Sequence, residues 1–340
     1  MKVKFWWDIR SGFFARMHAV HMAAENRKAG VFPDRSRWLP LAWLAVGALL
    51  SGCLGGPKPE PVASDGIAVL SSDDSSAFTG VEREIKKRYP HRVAIFNLNG
   101  NTVLSADMRK KIESPQLPVV VAIGLHAARA AQGLPGKKVI FCQVFNYEQE
   151  NLVTPSMKGV AATPPVRDLF RAWKTLSPRL LKVGVITGGN LGSLIDEART
   201  AAAAYRIDLI HVEARSDRET LYAFKQLAPK VQGLWLVPDN RVLSLEVIRD
   251  MMTYGMKQGQ QMAVFNHELL GLGGLLSAES SYDDIAEKVL ARVKQAQQYA
   301  GVPGEPVVPL SKANISINKV MAGRLNISIP PALRGMARAP

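Results

Sequence analysis

The stretch LLKVGVITGGNLGSLIDEARTA, residues 180–201, contains one complete strand–turn–helix unit. Its apolar run Val183–Ile186 shows no polar alternation, a GGN turn follows at 188–190, and a helical segment extends from Ser193 to Tyr205. A continuous apolar run of this kind indicates a strand that is covered on both faces, as in a parallel sheet between helices. The stretch therefore predicts an α/β protein.

The same unit repeats along the chain on both sides of this stretch. Further apolar runs of strand length, most of them followed by a turn and a helical pattern, occur at Ile67–Leu70, Val93–Phe96, Val119–Ile123, Val139–Phe141, Ile207–Val212, Leu234–Val237 and Met262–Phe265. They form two consecutive sets, which predicts two Rossmann-like, doubly wound lobes joined by a hinge. We expect the first lobe to comprise 64–160 plus 274–340 and the second lobe 161–273.

Composition narrows the functional classes. The chain has 340 residues, 47% of them hydrophobic and 21% charged, which is typical of a well-packed globular protein. The net charge is +14, but Lys and Arg are scattered and are not interleaved with aromatic residues, so nucleic acid is not an expected partner. Of the two cysteines, Cys142 lies in an apolar run and is expected to be a buried, inert thiol.

The N-terminal region resembles an export signal. Trp38–Cys53, WLPLAWLAVGALLSGC, is a short apolar run after basic residues and ends in small residues. Its end, LSGC at 50–53, resembles the lipobox of bacterial lipoproteins, which implies cleavage before Cys53 and lipidation of that cysteine. We interpret 1–52 as a signal peptide with an extended leader, with synthesis beginning at Met17 or Met22. The alternative is an ordinary anchor or a buried helix.

A proline-rich segment follows the cysteine. Residues 53–63, rich in Gly and Pro, cannot form a core and suit a lipid-anchored tether. Leu54 stands where an aspartate would signal inner-membrane retention in many Gram-negative lipoproteins. This resemblance favours the inner face of the outer membrane over the inner membrane, on the periplasmic side of the envelope, if the source is Gram-negative.

Four stretches together resemble the substrate-binding proteins of ABC transporters, in the subfamily of tryptophan- and tyrosine-type periplasmic binding components. They are residues 180–201, VQGLWLVPDNRVLS at 231–244, MAVFNHELLGLGGLLSAESSY at 262–282 and INKVMAGRLNISIP at 317–330. The resemblance covers residues 120–335 and implies a type I periplasmic-binding-protein fold. It also implies hinge closure on a small, amino-acid-like or other metabolite, with an ABC permease as possible partner and no cofactor.

The first lobe departs from this pattern, since Asn146-Tyr147 replaces a common aspartate–proline pair and Ala286 a common glycine. The departures leave ligand identity open and keep an alternative function in view. In that alternative the chain is a non-transport envelope lipoprotein that contacts another envelope protein as an interaction or signalling module.

Candidate ligand contacts are the polar and small residues that follow each strand, because ligands of open parallel sheets bind beyond the carboxyl ends of the strands. Asp239 ends an apolar run and could accept an amino group or orient the hinge, and the turn before Ser193 could hold a carboxylate. The full set of candidates is Ser71, Ser72, Gly124, Asn146, Gly189, Asn190, Ser193, Asp239 and Asn266.

The sequence motifs do not favour catalysis. His267-Glu268 lacks the second histidine of a zincin helix, and 271–274 is too weak for a dinucleotide fingerprint. The chain also lacks a GxSxG elbow. We therefore expect neither an enzyme nor a metal site.

Overall fold

The structure is a computed structural model that describes residues 65–145, 147–239 and 241–339. The predicted leader, the tether, the lipidation site Cys53 and the candidate Asn146 lie outside these ranges.

Short strands alternate with helices along the described chain. The strands are β1 (Ile67–Ser71), β2 (Val93–Asn97), β3 (Val119–Ile123), β4 (Lys138–Cys142), β5 (Met157–Val160), β6 (Lys182–Thr187), β7 (Asp208–Glu213), β8 (Gly233–Trp235), β9 (Gln261–Val264), β10 (Leu276–Ser280), β11 (Val307–Val308), β12 (Ala313–Asn318) and β13 (Ala337–Arg338). The helices are α1 (Ser76–Arg88), α2 (Ala106–Ile112), α3 (Leu125–Gln132), α4 (Val166–Leu176), α5 (Gly192–Ala204), α6 (Asp217–Leu227), α7 (Leu245–Lys257), α8 (Tyr282–Gln298) and α9 (Lys319–Arg324). Every apolar run predicted as a strand contributes to one.

The strands form two sheets. The first has the order β11-β5-β4-β3-β1-β2 and the second has the order β13-β12-β10-β9-β8-β6-β7. All strand pairs in the first sheet are parallel, and the second sheet departs from parallel pairing where β12 joins β10. The part of the chain built on each sheet is called the first lobe and the second lobe below, and this α/β architecture confirms the predicted fold class.

Central strands carry the apolar runs because both of their faces are covered. All residues of β1 and β3 are buried, and Phe141 of β4 is fully buried in the core of the first lobe. In the second lobe, α4 places Phe170 and Trp173 at zero exposure in a core with β6. The run in β2 differs, since β2 lies at the edge of its sheet and Ile95 is 38% exposed.

The division of the C-terminal part between the lobes differs from the sequence-based boundary. Strands β10, β12 and β13 belong to the second sheet, so the assignment of all of 274–340 to the first lobe is corrected for these strands. Helix α8 packs against α1, β3, β4 and β5, and β11 pairs with β5, so these two elements do belong to the first lobe. Strand pairing, which local patterns do not reveal, determines the division.

The chain consequently crosses between the lobes three times, at 161–165, at Ser281 and at 309–312. Side chains connect these crossings. The Ser280 hydroxyl donates to the carbonyl of Ala162 at 2.5 Å. The buried Asp284 carboxylate at the start of α8 accepts the backbone N–H groups of Ser311 at 2.5 Å and Lys312 at 3.1 Å. The three crossings therefore lie together as one hinge region.

Candidate functional site

The turn after β6 forms one part of the second lobe's carboxyl edge. Asn190 adopts a left-handed conformation with φ of 65°, which turns the chain toward α5. Leu191 occupies the N-cap position of α5, and within the described residues no side chain caps this helix. Backbone N–H groups of the first turn of α5 are thus available for an external acceptor.

Asp239, which follows β8, lies at the centre of this edge and has no exposed surface. Its Oδ1 accepts from Nε of Arg241 at 2.7 Å and its Oδ2 accepts from Nη2 of the same guanidinium at 2.7 Å. Oδ2 also accepts the backbone N–H of Gly188 at 2.8 Å. Both carboxylate oxygens are therefore used within the second lobe, and the bidentate pair fixes the orientation of Arg241.

Gly188 lies so close to the ion pair that a side chain there would crowd it. A Cβ at this position would lie 3.0 Å from Oδ2 of Asp239 and 3.0 Å from Nη2 of Arg241. Such a distance is shorter than ordinary van der Waals contact. The glycine therefore lets the β6 turn approach the ion pair closely enough to donate to it.

Arg241 also reaches the first lobe. Its Nη1 donates to the carbonyl of Gly189 at 2.8 Å and to Oε1 of Gln149 at 2.9 Å. Gln149 in turn donates through Nε2 to Gly189 at 3.2 Å, and the Ser193 hydroxyl donates to Oε1 of Glu148 at 3.1 Å. The carboxyl edges of the two sheets therefore face each other and are in contact here.

Glu148 and Gln149 belong to a 3-10 helix, Tyr147–Glu150, that follows β4. The segment is fastened to the first lobe, since Nε of Arg129 on α3 donates to Glu150 at 2.7 Å and the ring of Tyr147 lies 5.8 Å from that of Phe141. The first lobe thus presents an exposed carboxylate and an exposed amide to the turn of the second lobe.

The candidate residues of the first lobe serve largely local roles. The buried Ser72 hydroxyl donates to the carbonyl of Ile123 at 3.0 Å and accepts the N–H of Ala127 at 3.0 Å, so it caps the start of α3. Ser71 donates to Glu82 at 3.2 Å. Gly124 has a φ of 87°, and a Cβ there would lie 2.6 Å from the side chains of Ser72 and Phe78.

One hydroxyl near this edge differs from the rest. Ser75 is the N-cap residue of α1, is 9% exposed, and its Oγ has no hydrogen-bond partner in the described part of the protein. Asp73 accepts the backbone N–H of Ser75 at 2.8 Å. A buried hydroxyl without a partner is costly, so Oγ of Ser75 is the unpaired polar atom at this end of the first lobe.

One histidine close to each edge has a lowered pKa. Burial lowers the pKa of His126, the nearby Arg129 lowers it further, and Asp73 opposes the shift. Burial also lowers the pKa of His211, against the effect of Glu213, and Nε2 of His211 lies 2.8 Å from the Thr187 hydroxyl.

Asn266 follows β9 and has a capping role. Its Oδ1 accepts the N–H of Glu268 at 2.8 Å, which starts the 3-10 helix His267–Leu272. Nδ1 of His267 lies 2.8 Å from Glu279. Over 65–145, 147–239 and 241–339, the structure contains no group of three His, Cys, Asp or Glu residues that could hold a metal ion.

The structure therefore joins Gly189, Asn190, Ser193 and Asp239 at one turn region of the second lobe, and Ser71, Ser72 and Gly124 at one edge of the first. Sequence reasoning missed Glu148, Gln149 and Arg241. Arg241 stands two residues after Asp239, and this spacing is the signal that could have revealed the pair. None of the helices in the described ranges is long and apolar enough to cross a membrane.

Comparison with solved structures identifies proteins of similar fold. No protein-family model and no curated protein matches the chain. A Streptococcus pneumoniae ABC domain, solved in complex with L-Trp, is 20% identical, with a TM-score of 0.57 and coverage of 81% of this chain and 98% of that chain.

A substrate-binding protein with adhesive properties from Clostridium difficile, solved in a ligand-free, open form, is 14% identical, with a TM-score of 0.63 and coverage of 81% and 99%. A conserved domain protein from Vibrio cholerae is 19% identical, with a TM-score of 0.56 and coverage of 81% and 99%. The chain is similar to these proteins in fold, which is the two-lobed, type I periplasmic-binding-protein fold.

Proposed function

We propose that this chain, with its two-lobed fold, is an exported solute-binding lipoprotein that takes up a small metabolite between its lobes by hinge closure. The observation that carries the proposal is the meeting of the two carboxyl edges, where Arg241 and Ser193 of the second lobe contact Gln149 and Glu148 of the first. Open parallel sheets bind ligands at this edge. Two such edges on either side of a hinge can enclose a solute and exclude water from it.

The hinge region supports closure as the mechanism. Three short crossings connect the lobes, and Asp284 and Ser280 hold the crossings together. A ligand that contacts both lobes stabilises the closed arrangement by its differential affinity for that state. Covalent chemistry is not needed for this activity.

The proposed ligand is amino-acid-like or another small metabolite. The Streptococcus protein of the same fold was solved with L-Trp, and the polar turns at both edges here suit such a compound. We propose ligand contacts from the strand-end set, including Asn146. Asp239 would contribute to ligand binding by orienting Arg241, whose guanidinium it accepts from. Ser72 would contribute by fixing the first turn of α3, where it accepts the N–H of Ala127.

Anchoring and transport complete the proposal. Lipidation at Cys53 would tether the protein on the periplasmic side of the envelope, at the inner face of the outer membrane if the cell is Gram-negative. An ABC permease would then take the solute from the closed form. Replacing Cys53 by Ser should release the protein from membranes, and unchanged membrane association would refute the anchor.

A second candidate is a binding-protein-like lipoprotein that contacts another envelope protein. The Clostridium protein of this fold is a substrate-binding protein with adhesive properties, and this combination supports the second candidate. In this case the protein would be recovered with a partner protein even after the cleft residues are changed.

A thermal-shift screen of the purified, ligand-free full chain tests solute binding. A ligand that binds the folded state raises the melting temperature by mass action, by an amount that grows with its concentration. We expect at least one small metabolite to do so. A broad metabolite library that leaves the melting temperature unchanged would reject the proposal.

A further inference from the structure

Arg241 presents a pre-oriented donor edge at the surface between the lobes. Asp239 is fully buried and engages Nε and Nη2 of the guanidinium, which leaves Nη1 directed at the first lobe. The Arg241 side chain is 31% exposed. A guanidinium held by a buried carboxylate loses little conformational entropy when a further acceptor binds to it, so its remaining edge is a suitable recognition element.

The acceptors on this edge belong to the protein itself. Nη1 donates to Oε1 of Gln149 and to the carbonyl of Gly189, and both oxygens are neutral. Directly beside them, Ser193 in the first turn of α5 donates its hydroxyl to the carboxylate of Glu148. The neighbouring pair Glu148-Gln149 thus places one carboxylate and one amide oxygen on the donors of the second lobe.

The side chains that fill these donor positions are readily replaceable. Glu148 and Gln149 are exposed and come from the opposite lobe, so a movement of the lobes apart would withdraw both from these donors. A carboxylate accepts a charge-assisted hydrogen bond from a guanidinium N–H, which is shorter and stronger than a hydrogen bond to a neutral amide oxygen. An acidic group on a ligand would therefore displace Gln149 from Nη1.

We infer that Arg241 and Ser193 form the recognition site for a carboxylate of the ligand, and that Glu148-Gln149 is an internal stand-in that the ligand displaces. The inference rests on the proposed solute-binding function and names the chemical class of the solute, a small carboxylic acid such as an amino acid. It differs from one of the two sequence-based expectations for Asp239, namely contact with an amino group rather than orientation of the hinge, because both oxygens of Asp239 are used by Arg241 and Gly188.

The test compares acids with their amides on the ligand-free full chain. The probes are L-amino acids and short mono- and dicarboxylic acids, each paired with its primary amide, and binding is measured by thermal shift and calorimetry. We expect acids to bind at least about tenfold more tightly than the paired amides, because an amide cannot form the charge-assisted hydrogen bond that a carboxylate forms with Arg241. Amides that bind as well as acids would overturn the inference and leave solute binding intact.

Two variants examine the site directly. Gln149→Ala removes the stand-in and should strengthen acid binding several-fold, on the order of the effect of one hydrogen bond. Arg241→Lys keeps a cation beside Asp239, so that the lobe folds, but lacks the fork and should remove most of the preference for acids. The matched controls are Gln298→Ala, at an exposed glutamine at the end of α8, and Arg199→Gln, at an exposed arginine on α5. Neither control should change the affinity for acids or the preference for acids over amides.

The outcomes separate the possible roles. Weaker acid binding in Gln149→Ala would overturn the stand-in role and identify Gln149 as a latch that closes over the ligand. An acid preference unchanged in Arg241→Lys would overturn the role of the guanidinium. If no probe and no compound of the broad library stabilises any variant, the proposed function itself fails.

Discussion

The carboxyl edges of the two lobes use their polar residues in different ways. In the second lobe the turn at 188–193 and Asp239 converge on one guanidinium, and that guanidinium faces outward to the other lobe. In the first lobe, Ser72 and Gly124 turn inward to start α3, and Ser71 bonds within its own lobe. Polar residues after a strand can therefore build either a recognition surface or a helix cap, and the local hydrogen bonds decide which.

The start of the following helix explains the difference. Helix α3 begins beside Ser72, whose hydroxyl accepts from Ala127, whereas α5 begins at Leu191, which has no capping oxygen in its side chain. The backbone N–H groups at a capped helix start already have an acceptor within the lobe. Those at an uncapped start can still donate to the other lobe or to a ligand.

The largest effect is expected from Asp239→Ala in the second lobe. The change leaves Arg241 without its partner and Gly188 N–H without an acceptor, so we expect a loss of about 3 kcal/mol in the free energy of unfolding. Urea unfolding of the full chain measures it. Asp196→Ala, whose side chain is 75% exposed, is the control and should change stability by less than about 0.5 kcal/mol. Equal effects of the two changes would show that the buried ion pair does not organise this edge.

Two glycine substitutions sharpen the comparison between the edges. Gly124→Ala places a Cβ 2.6 Å from Phe78 and Ser72 at a φ of 87°, and should cost about 2 kcal/mol. Gly189→Ala meets nothing within 4 Å and should cost less than about 1 kcal/mol. Thermal or urea unfolding gives both values. The reverse order would contradict the view that the first-lobe edge is the internally packed one.

Serine substitutions extend the same comparison. Ser72→Ala removes a buried hydroxyl that both donates to Ile123 and accepts from Ala127, and should destabilise the protein by about 1–2 kcal/mol. Ser193→Ala, at an exposed position, should change the free energy of unfolding by less than about 0.5 kcal/mol. A neutral Ser72→Ala would contradict the view that this hydroxyl stabilises the start of α3.

The smallest expected effect is a pH dependence from one histidine near each edge. Burial is the main cause that lowers the pKa of His126 and His211 below 6.5 in the folded state. The unfolded chain then binds these protons more tightly, so the stabilisation is present above the unfolded-state pKa and is lost as the pH falls below it. Unfolding between about pH 7.5 and 5.5 should show decreasing stability, and His126→Gln with His211→Gln should reduce the slope. An unchanged slope would contradict the assignment to these residues.

Much of the fold could be predicted from the sequence because buried parallel strands are continuous apolar runs. Val119–Ile123 and Val183–Ile186 are examples that lie in central strands. The sequence could not show which sheet β10 and β12 join, because membership depends on where the chain crosses the hinge. Cys142 was expected to be buried and inert, and burial does raise the pKa of this thiol to about 12.

The candidate site was predicted less completely. Asp239 was selected because it ends an apolar run, but its contacts depend on a turn that brings Arg241 back onto the carboxylate. Gln149 lies 92 residues from Arg241 in the sequence, and only the packing of the two lobes brings them to 2.9 Å. Single-residue patterns carry no information on such a contact.

Lobe movement on ligand binding tests the central claim most directly. Spin labels at Asp107 of α2 and Asp196 of α5, both highly exposed, report the distance between the lobes in the full chain with Cys53→Ser, while the buried Cys142 should resist labelling. Addition of the compound that stabilises the protein most should shift the distance distribution to a single, narrower population. An unchanged distribution with the compound bound would contradict solute binding by hinge closure.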